Sequence, residues 1–562
     1  MASDDLPDDP MTRRPGTHRG GLPRPRDLLP RRDFLIAGAG ALGLAALGGG
    51  AKAATPAPAS PAPLPAAPPL PPAPAPPVAV DVHCHTFCSA DLPIVGFVAH
   101  FIPGLTELSR FVSHWPEMVV RALVGAVATL PNAVAPTGEA ELAMLRAALA
   151  NPAGGALAAV PTLPPELLES LLAELTEHLP FSVAADKRRI IVRYLETLYL
   201  VAHPRASIAA SIAQIFPSIA LYTPALVDYD AWSEDRAPTP LWRQVLLQES
   251  ISRLSVAGRI GRADARFHPF VAFDPRRQIE GPQAAVPKPG GPLAGVAPPV
   301  PVALPSAASS ALELVRYAIE AGGFLGVKLY PPVGFAPWDN VHLRRDLSFA
   351  AGLDGALDGL YGYCAAAEAP ILTHASAANE YGLGLHRLVS PELWRPVLER
   401  HPTLRLNFGH FGHDYGVPQT DAPAKIADAW IYQAAALIDR YPNVYADLSN
   451  SPLVYDPAYG RRLSALLADV MARYPKVRRR LMYGSDWWLS GLDPDASAAV
   501  DQFRATLGGL LGPDGLADLM GRNALRYLGF LDDDGRPRAG ASAARLRRFY
   551  AGAPAPAWLP PA

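Results

Sequence analysis

From Val78 onward the apolar residues of this chain come in short continuous runs, separated by longer stretches with a helical period. Eight short runs read as strands: VAVDVHCHTF (78–87), SIALYTPALVDYD (218–230), RFHPFVAFD (266–274), FLGVKLYPP (324–332), APILTHAS (369–376), LRLNFGHFG (404–412), VYADLSN (444–450) and RRLMYGSDWW (479–488). Each is bounded by turn residues or by a helical pattern. Between them, segments such as SALELVRYAIEAGG (310–323) and YGRRLSALLADVMARYP (459–475) place apolar residues three and four apart, as an amphipathic helix requires. The repeating unit is strand, loop, helix. Eight such units predict an α/β fold, a (β/α)8 TIM-type barrel with a large helical insertion after strand 1. The runner-up, a doubly wound sheet, would want a Gly-rich phosphate loop after the first strand, and none is present.

Two insertions interrupt the pattern. Roughly 130 residues separate the first two strands, far beyond an ordinary loop. This insertion, about 96–215, carries the helical patterns PPELLESLLAELTEH (164–178) and DKRRIIVRYLETLYLVAH (186–203). It leaves a barrel at the C-terminal face, so it is placed to form a lid or substrate wall; an ornamental or oligomerising layer is the alternative, and a homo-oligomer is left open. The second, 281–307, is a Pro/Gly-rich loop expected to be mobile. The barrel domain is expected over 78–530, followed at 531–562 by a C-terminal helix and a tail that should be disordered after about residue 550.

The N-terminal region reads as an export signal over 1–53. Arg31-Arg32 precedes Phe34-Leu35 and a Gly/Ala-rich apolar run to about Gly50, and Ala51-Lys52-Ala53 fits a small-residue cleavage site. Paired arginines in that position resemble a twin-arginine signal, which makes the twin-arginine export machinery a partner and the periplasm or the medium the destination. The run is too short and glycine-rich for a comfortable membrane span, so no stable span is expected after cleavage; an uncleaved signal would leave a membrane anchor. Residues 56–77 hold 12 prolines, so the stretch 54–77 cannot pack a core and should be an extended linker.

Composition narrows the function. At 562 residues and 49% hydrophobic, the chain can bury a large core. A formal net charge of -2 leaves no electrostatic footprint for nucleic acid, and a small-molecule substrate is the expected partner. Three cysteines, Cys84, Cys88 and Cys364, cannot form a disulfide framework and read as thiols.

The candidate chemistry sits at strand ends. His83 and His85 are two apart in a strand and share one face, roughly 6.6 Å apart along the chain. That spacing suits two imidazole nitrogens converging on one zinc. A lone His-x-His is weak evidence, but other strands end in His374, in His410 with His413 just beyond, and in Asp486, while Lys328 lies in the fourth run with Tyr330 on its face. In a barrel these positions converge on one mouth, where catalysis occurs. Asp228 and Asp274 end strands two and three and could line that mouth, although Phe-Asp-Pro is equally a turn signal. Trp338, Trp487 and Trp488 are candidate pocket walls whose commoner fate is packing. His268 and His386 read as ordinary strand or surface histidines, and Cys84 as a packed thiol.

The set Asp81-x-His83-x-His85, His374, His410 and Gly484-Ser485-Asp486 resembles the metal-dependent amidohydrolase superfamily, and within it the amidohydrolase-related branch that includes the aminocarboxymuconate semialdehyde decarboxylase type. GRNALRYLGF (521–530) resembles that branch's closing helix, and the resemblance covers 78–87 and 219–530. It implies that His83, His85, His374 and Asp486 are metal ligands and that His410 contacts the water or substrate at the metal. It also implies one divalent metal, zinc for preference, or two if Lys328 is carboxylated and bridging. Lys328 and Tyr330 are otherwise candidates for substrate contact, or Lys328 for a structural partner, and both of these readings are preferred to the bridge. The expected activity is a hydrolase acting on an amide, ester or lactone, with Asp486 as proton acceptor. A non-oxidative decarboxylase of a carboxylic acid would use the same ligands. A periplasmic binding protein without turnover is the non-enzymatic rival, motivated by the helical insertion.

Overall fold

Most strands are buried along their whole length rather than alternately, the signature of a parallel sheet covered on both faces. The computed structural model describes residues 78–93, 135–178, 192, 195–197, 199–233, 235–281, 303–376, 385–412, 429–451, 457–487 and 496–561. The signal region, the linker, most of the loop 281–307, His413 and Trp488 lie outside the described residues.

The strands are β1 (Ala79–Cys84), β2 (Ile219–Pro224), β3 (Arg266–Phe267), β4 (Phe270–Ala272), β5 (Gly326–Leu329), β6 (Ile371–His374), β7 (Leu406–Gly409), β8 (Val444–Asp447) and β9 (Leu481–Met482). All ladders are parallel, in the orders β1-β2-β3 and β4-β5-β6-β7-β8-β9. The run 266–274, expected as one strand, is split in two. Pro269 has no N–H to give to a ladder, and the chain is interrupted there. The two sheets meet at both seams. Leu226 N–H donates to Phe270 O at 2.9 Å on one side; on the other, Val82 N–H donates to Tyr483 O at 3.3 Å and Asp486 N–H to His83 O at 2.7 Å.

Successive strand residues point to opposite faces and enter different cores. Ile371, Val444 and Leu481 pack in the larger cluster, while their neighbours Leu372, Tyr445 and Met482 pack with Tyr527, Phe549 and Trp558. The helices that cover the strands include α1 (Gly138–Ala150), α2 (Pro165–His178), α3 (Arg205–Ile215), α4 (Leu241–Val256), α5 (Ala311–Glu320), α6 (Leu347–Ala367), α7 (Trp430–Arg440), α8 (Pro457–Arg473), α9 (Ala499–Ala517) and α10 (Ala541–Tyr550). Helix α5 starts where sequence dictates: Ser310 and Glu313 form a reciprocal capping box. In the segment GRNALRYLGF, the Asn523 side-chain amide donates to Leu481 O at 2.8 Å and ties that turn to β9.

The tail after residue 550 differs from expectation. Trp558 and Leu559 are buried, and the Trp558 ring lies 5.6 Å from Phe530 and 6.3 Å from His268. Burial of these two large apolar side chains helps to hold the segment in place.

Within the insertion, α1, α2 and α3 are helical, and a buried ion cluster pins α1 and α3 to the chain leaving β1. Arg205, fully buried at the start of α3, donates to Asp91 at 2.7 and 2.5 Å, to Thr239 at 3.0 Å, and to Glu141 in the first turn of α1. Removing the guanidinium would strand two buried carboxylates. Arg205→Ala is therefore expected to lower unfolding stability by about 3–5 kcal/mol in urea denaturation; a loss under about 1 kcal/mol would mean that water replaces the cation at no great cost.

Candidate metal centre

The polar residues of the strand ends converge. His83 and His85 come from the end of β1, Lys328 from β5, His374 from β6, His410 from just after β7, Asp447 from β8 and Asp486 from the turn after β9. All are buried. Ligand atoms of His83, His410 and Asp486 lie within 4.8 Å of one another. His85 Nε2 is 3.2 Å from Asp486 Oδ1, and His83 Nε2 is 3.7 Å from the same oxygen. The His374 ring stands 4.8 Å from that of His410 and 4.6 Å from that of Tyr330.

Each imidazole near β1 is oriented by an acceptor on its other nitrogen. His85 Nδ1 donates to Ala225 O at 2.8 Å. His83 Nδ1 donates to Asp447 Oδ2 at 3.2 Å, with Ser449 Oγ also at 2.9 Å. His410 Nδ1 lies 3.3 Å from Ser449 O and 2.9 Å from Ser449 Oγ. These acceptors select the tautomer that leaves Nε2 with a lone pair. Glycines make room for the His83 ring. A Cβ on Gly409 would stand 2.9 Å from His83 Cε1, and one on Gly484 would stand 2.9 Å from His83 Cβ.

Backbone strain is concentrated here. His410 and Phe411 have φ of 65° and 52°, and Asp486 has φ of 54°. Such conformations cost a non-glycine residue on the order of 1–3 kcal/mol and persist only where the surroundings fix them. The fixing bonds are His410 N–H to Asp447 Oδ1 at 3.1 Å and Asp486 N–H to His83 O at 2.7 Å.

Electrostatics keep the His83 and His374 imidazoles uncharged. Burial, then Lys328, lowers the His83 pKa to about 4. Burial, then the neighbouring His410 imidazole, holds His374 well below its ordinary value. Burial would raise the Asp486 carboxyl, but its contacts with His85, His410 and His83 hold it below the usual carboxylate range. Lys328 Nζ lies 3.1 Å from His83 Nε2, and burial lowers its pKa to about 8. Its side chain thus reaches the centre, and Tyr330 flanks it, with Nζ 5.9 Å from the ring centroid.

Three residues that the sequence reading did not single out, Asn407, Asp447 and Ser449, support the centre, as do Asp81 and Ser485 of the motif. Asp447 accepts from His83, from Asn407 Nδ2 at 2.7 Å, from Ser449 N–H at 3.1 Å and from Ser449 Oγ at 2.5 Å. Asp81 accepts from Ser485 N–H at 3.0 Å and Ser485 Oγ at 2.6 Å, which seats the turn carrying Asp486 against β1. The signal for Asp447 was present, since it ends a strand just as His374 does.

The other candidates fall elsewhere. His268 is a buried strand histidine bonded to Gly323 O at 3.0 Å and the Tyr550 hydroxyl at 3.2 Å. Cys84, Cys88 and Cys364 are buried free thiols. Asp228 and Asp274 line a small cavity with Lys328 and Tyr330. Trp487 is buried, and Trp338 is partly buried beneath Arg400.

The donor set fits a divalent metal. It is imidazole nitrogen and carboxylate oxygen, and His374 Nε2 is buried with no hydrogen-bond partner among the described residues. Converging buried imidazoles and a carboxylate on parallel strand ends define a metal-dependent enzyme. Residues 257–530 match the family model described as Amidohydrolase, and this part of the chain resembles the amidohydrolase superfamily. The match begins after β1 and β2, so His83 and His85 lie outside it. Among solved structures, an amidohydrolase II is 15% identical over 57% of this chain and 88% of its own, with a TM-score of 0.34. An amidohydrolase from Burkholderia multivorans is 14% identical over 59% and 91%, with a TM-score of 0.35. A zinc-bound structure of an amidohydrolase from the same organism is 17% identical over 37% and 64%, with a TM-score of 0.25. Overlaps this low carry no argument of their own. No curated protein sequence matches the chain.

Asp447→Asn is expected to weaken metal retention about 10–100-fold in competition with a chelator, because His83 loses its carboxylate partner. Unchanged retention would reduce Asp447 to a packing role.

Proposed function

We propose that the protein is an exported hydrolase in which water attacks an amide, ester or lactone, on a (β/α)8 barrel holding one divalent metal, zinc for preference. The observation that carries the reading is the convergence of lone-pair nitrogens from His83 and His85, the partnerless His374 Nε2, and the ionised Asp486 carboxylate. These four residues would hold the metal. The backbone bonds that join the two sheets at both seams support the barrel.

When bound, a divalent metal supplies Lewis acidity that lets water ionise near neutral pH. The chain's own residues do the rest. Asp486, kept ionised, accepts the proton of the attacking water and returns it to the leaving group. His410, with Nδ1 turned to Ser449, offers Nε2 as an acceptor, so it holds the water rather than donating to a carbonyl. Lys328 is read as a substrate anchor at the centre.

A non-oxidative decarboxylase is the second reading, favoured by one observation: Lys328 is the cation that reaches the centre among the described residues. Release of carbon dioxide from added carboxylic acids, in place of hydrolysis of esters or lactones, would select it.

Export rests on Arg31-Arg32 and the run that follows. No helix of the described residues is long and apolar enough to cross a membrane. Replacing both arginines by lysine is expected to retain the protein in the cytoplasm, read by cell fractionation; undiminished export would remove the twin-arginine reading.

Elemental analysis of residues 54–562 is expected to find about one metal per chain, lost in His83→Ala/His85→Ala and kept in Lys328→Ala. About two per chain, halved in Lys328→Ala, would make Lys328 a bridging ligand. No metal after reconstitution would end the enzyme reading.

A further inference from the structure

Beside the centre lies a small cavity of which the mechanism above uses only the shared wall, Lys328. Asp228, Asp274, Lys328, Tyr330, Val333 and Phe335 are among its walls, and it has about 10 Å³ of room for the centre of a water-sized group. That is about the room one water-sized group needs, enough for an ammonium or the NH2 end of an amide. It adjoins the centre through Lys328, whose carbonyl accepts from Phe273 N–H at 3.1 Å.

Its charges are unequally matched. Asp228 is closed by Arg277, whose Nε and Nη2 lie 2.5 and 2.7 Å from its two oxygens. The same guanidinium also reaches Asp230 at 3.1 Å, so its fork is occupied by acids. Asp274 is different. Its Oδ1 accepts from Trp232 Nε1 and Arg276 N–H, both at 2.9 Å. Its Oδ2 is buried and has no hydrogen-bond partner among the described residues. An acceptor left buried and unmatched costs roughly 1–3 kcal/mol, which a donor supplied by a ligand recovers. Burial, then the charge of Asp228, pushes the Asp274 carboxyl up to about 7.

We propose that this cavity is a substrate subsite that takes a small hydrogen-bond-donating head, an ammonium or a primary amide, on Asp274 Oδ2, and that it disfavours a carboxylate there. The inference rests on the metal-centre reading and deepens it by naming a substrate class: amines or amides rather than carboxylated acids. The Lys328 ammonium lies 3.1 Å from His83 Nε2, at the centre, so a ligand carboxylate in the cavity would meet an arginine already paired with two acids and an unpaired carboxylate oxygen, a like-charge contact that selects against it.

The test uses three hydroxamic acids of matched length, which anchor on a metal and differ only in the far end. They are 3-aminopropanohydroxamic acid, butanohydroxamic acid and succinic monohydroxamic acid. Binding to the zinc-loaded protein is measured by calorimetry at pH 8, where Asp274 is mostly ionised. The expected order is amine, then neutral, then carboxylate, with about tenfold or more between the ends in Kd. Asp274→Asn, which turns that oxygen into a donor, is expected to abolish or reverse the order. A flat order or a preference for the carboxylate in the unaltered protein overturns the subsite while leaving the centre intact. That ranking stands even if Asp274→Asn fails to fold. If none of the three binds better than to His83→Ala/His85→Ala protein, the metal reading fails and the subsite falls with it.

Discussion

The hydrogen bond between His83 and Asp447 is the constraint on which the centre turns. A fully buried carboxylate is costly unless it is matched, and Asp447 is matched by the His83 imidazole, the Asn407 amide, the Ser449 hydroxyl and two backbone N–H groups. Those donors pull Asp447 well below the usual carboxylate range, in spite of burial that would raise it. One side chain therefore fixes the tautomer of His83 and the strained backbone of His410 together. A second carboxylate, Asp81, does the equivalent for the turn that presents Asp486. The centre is held by acids that do not themselves face it as ligands.

Strain and support are distributed consistently with that arrangement. Left-handed backbone at His410 and Asp486 turns these side chains at the strand ends, and each residue's N–H is bonded to the β1–β8 side of the site. Gly409 and Gly484 contribute by lacking a side chain, because the His83 ring uses that space. The insertion is anchored nearby by charge. Asp91, a few residues beyond His85, is gripped by Arg205, which ties α3 to the exit of β1. The cavity bounded by Asp274 lies next to Lys328.

Much of this was legible in the sequence. Strand and helix periods are local, so the alternation of units and the shared face of His83 and His85 follow from spacings of two and of three to four residues. The positions of His374, His410 and Asp486 at strand ends were likewise readable, as was the Ser310–Glu313 capping box. Local signals also misled. A continuous apolar run across 266–274 concealed the interruption at Pro269, although proline's missing N–H is itself a sequence fact. A short Pro/Ala-rich end concealed Trp558 and Leu559, which only a distant pocket beside His268 and Phe530 could bury.

The sequence by itself determined which residue types stand at the ends of strands, and hence that nitrogen and carboxylate donors could meet. It did not determine their partners. His83 and Asp447 are 364 positions apart, and Ser485 and Asp81 are 404 apart. Only the tertiary structure decided that Asp447 orients an imidazole, that Arg277 is closed by Asp228 and Asp230, and that Asp274 keeps one oxygen unmatched. The physical reason is that periodicity reports which face a side chain takes, whereas hydrogen bonds and buried charges depend on what the fold brings within about 3 Å of it.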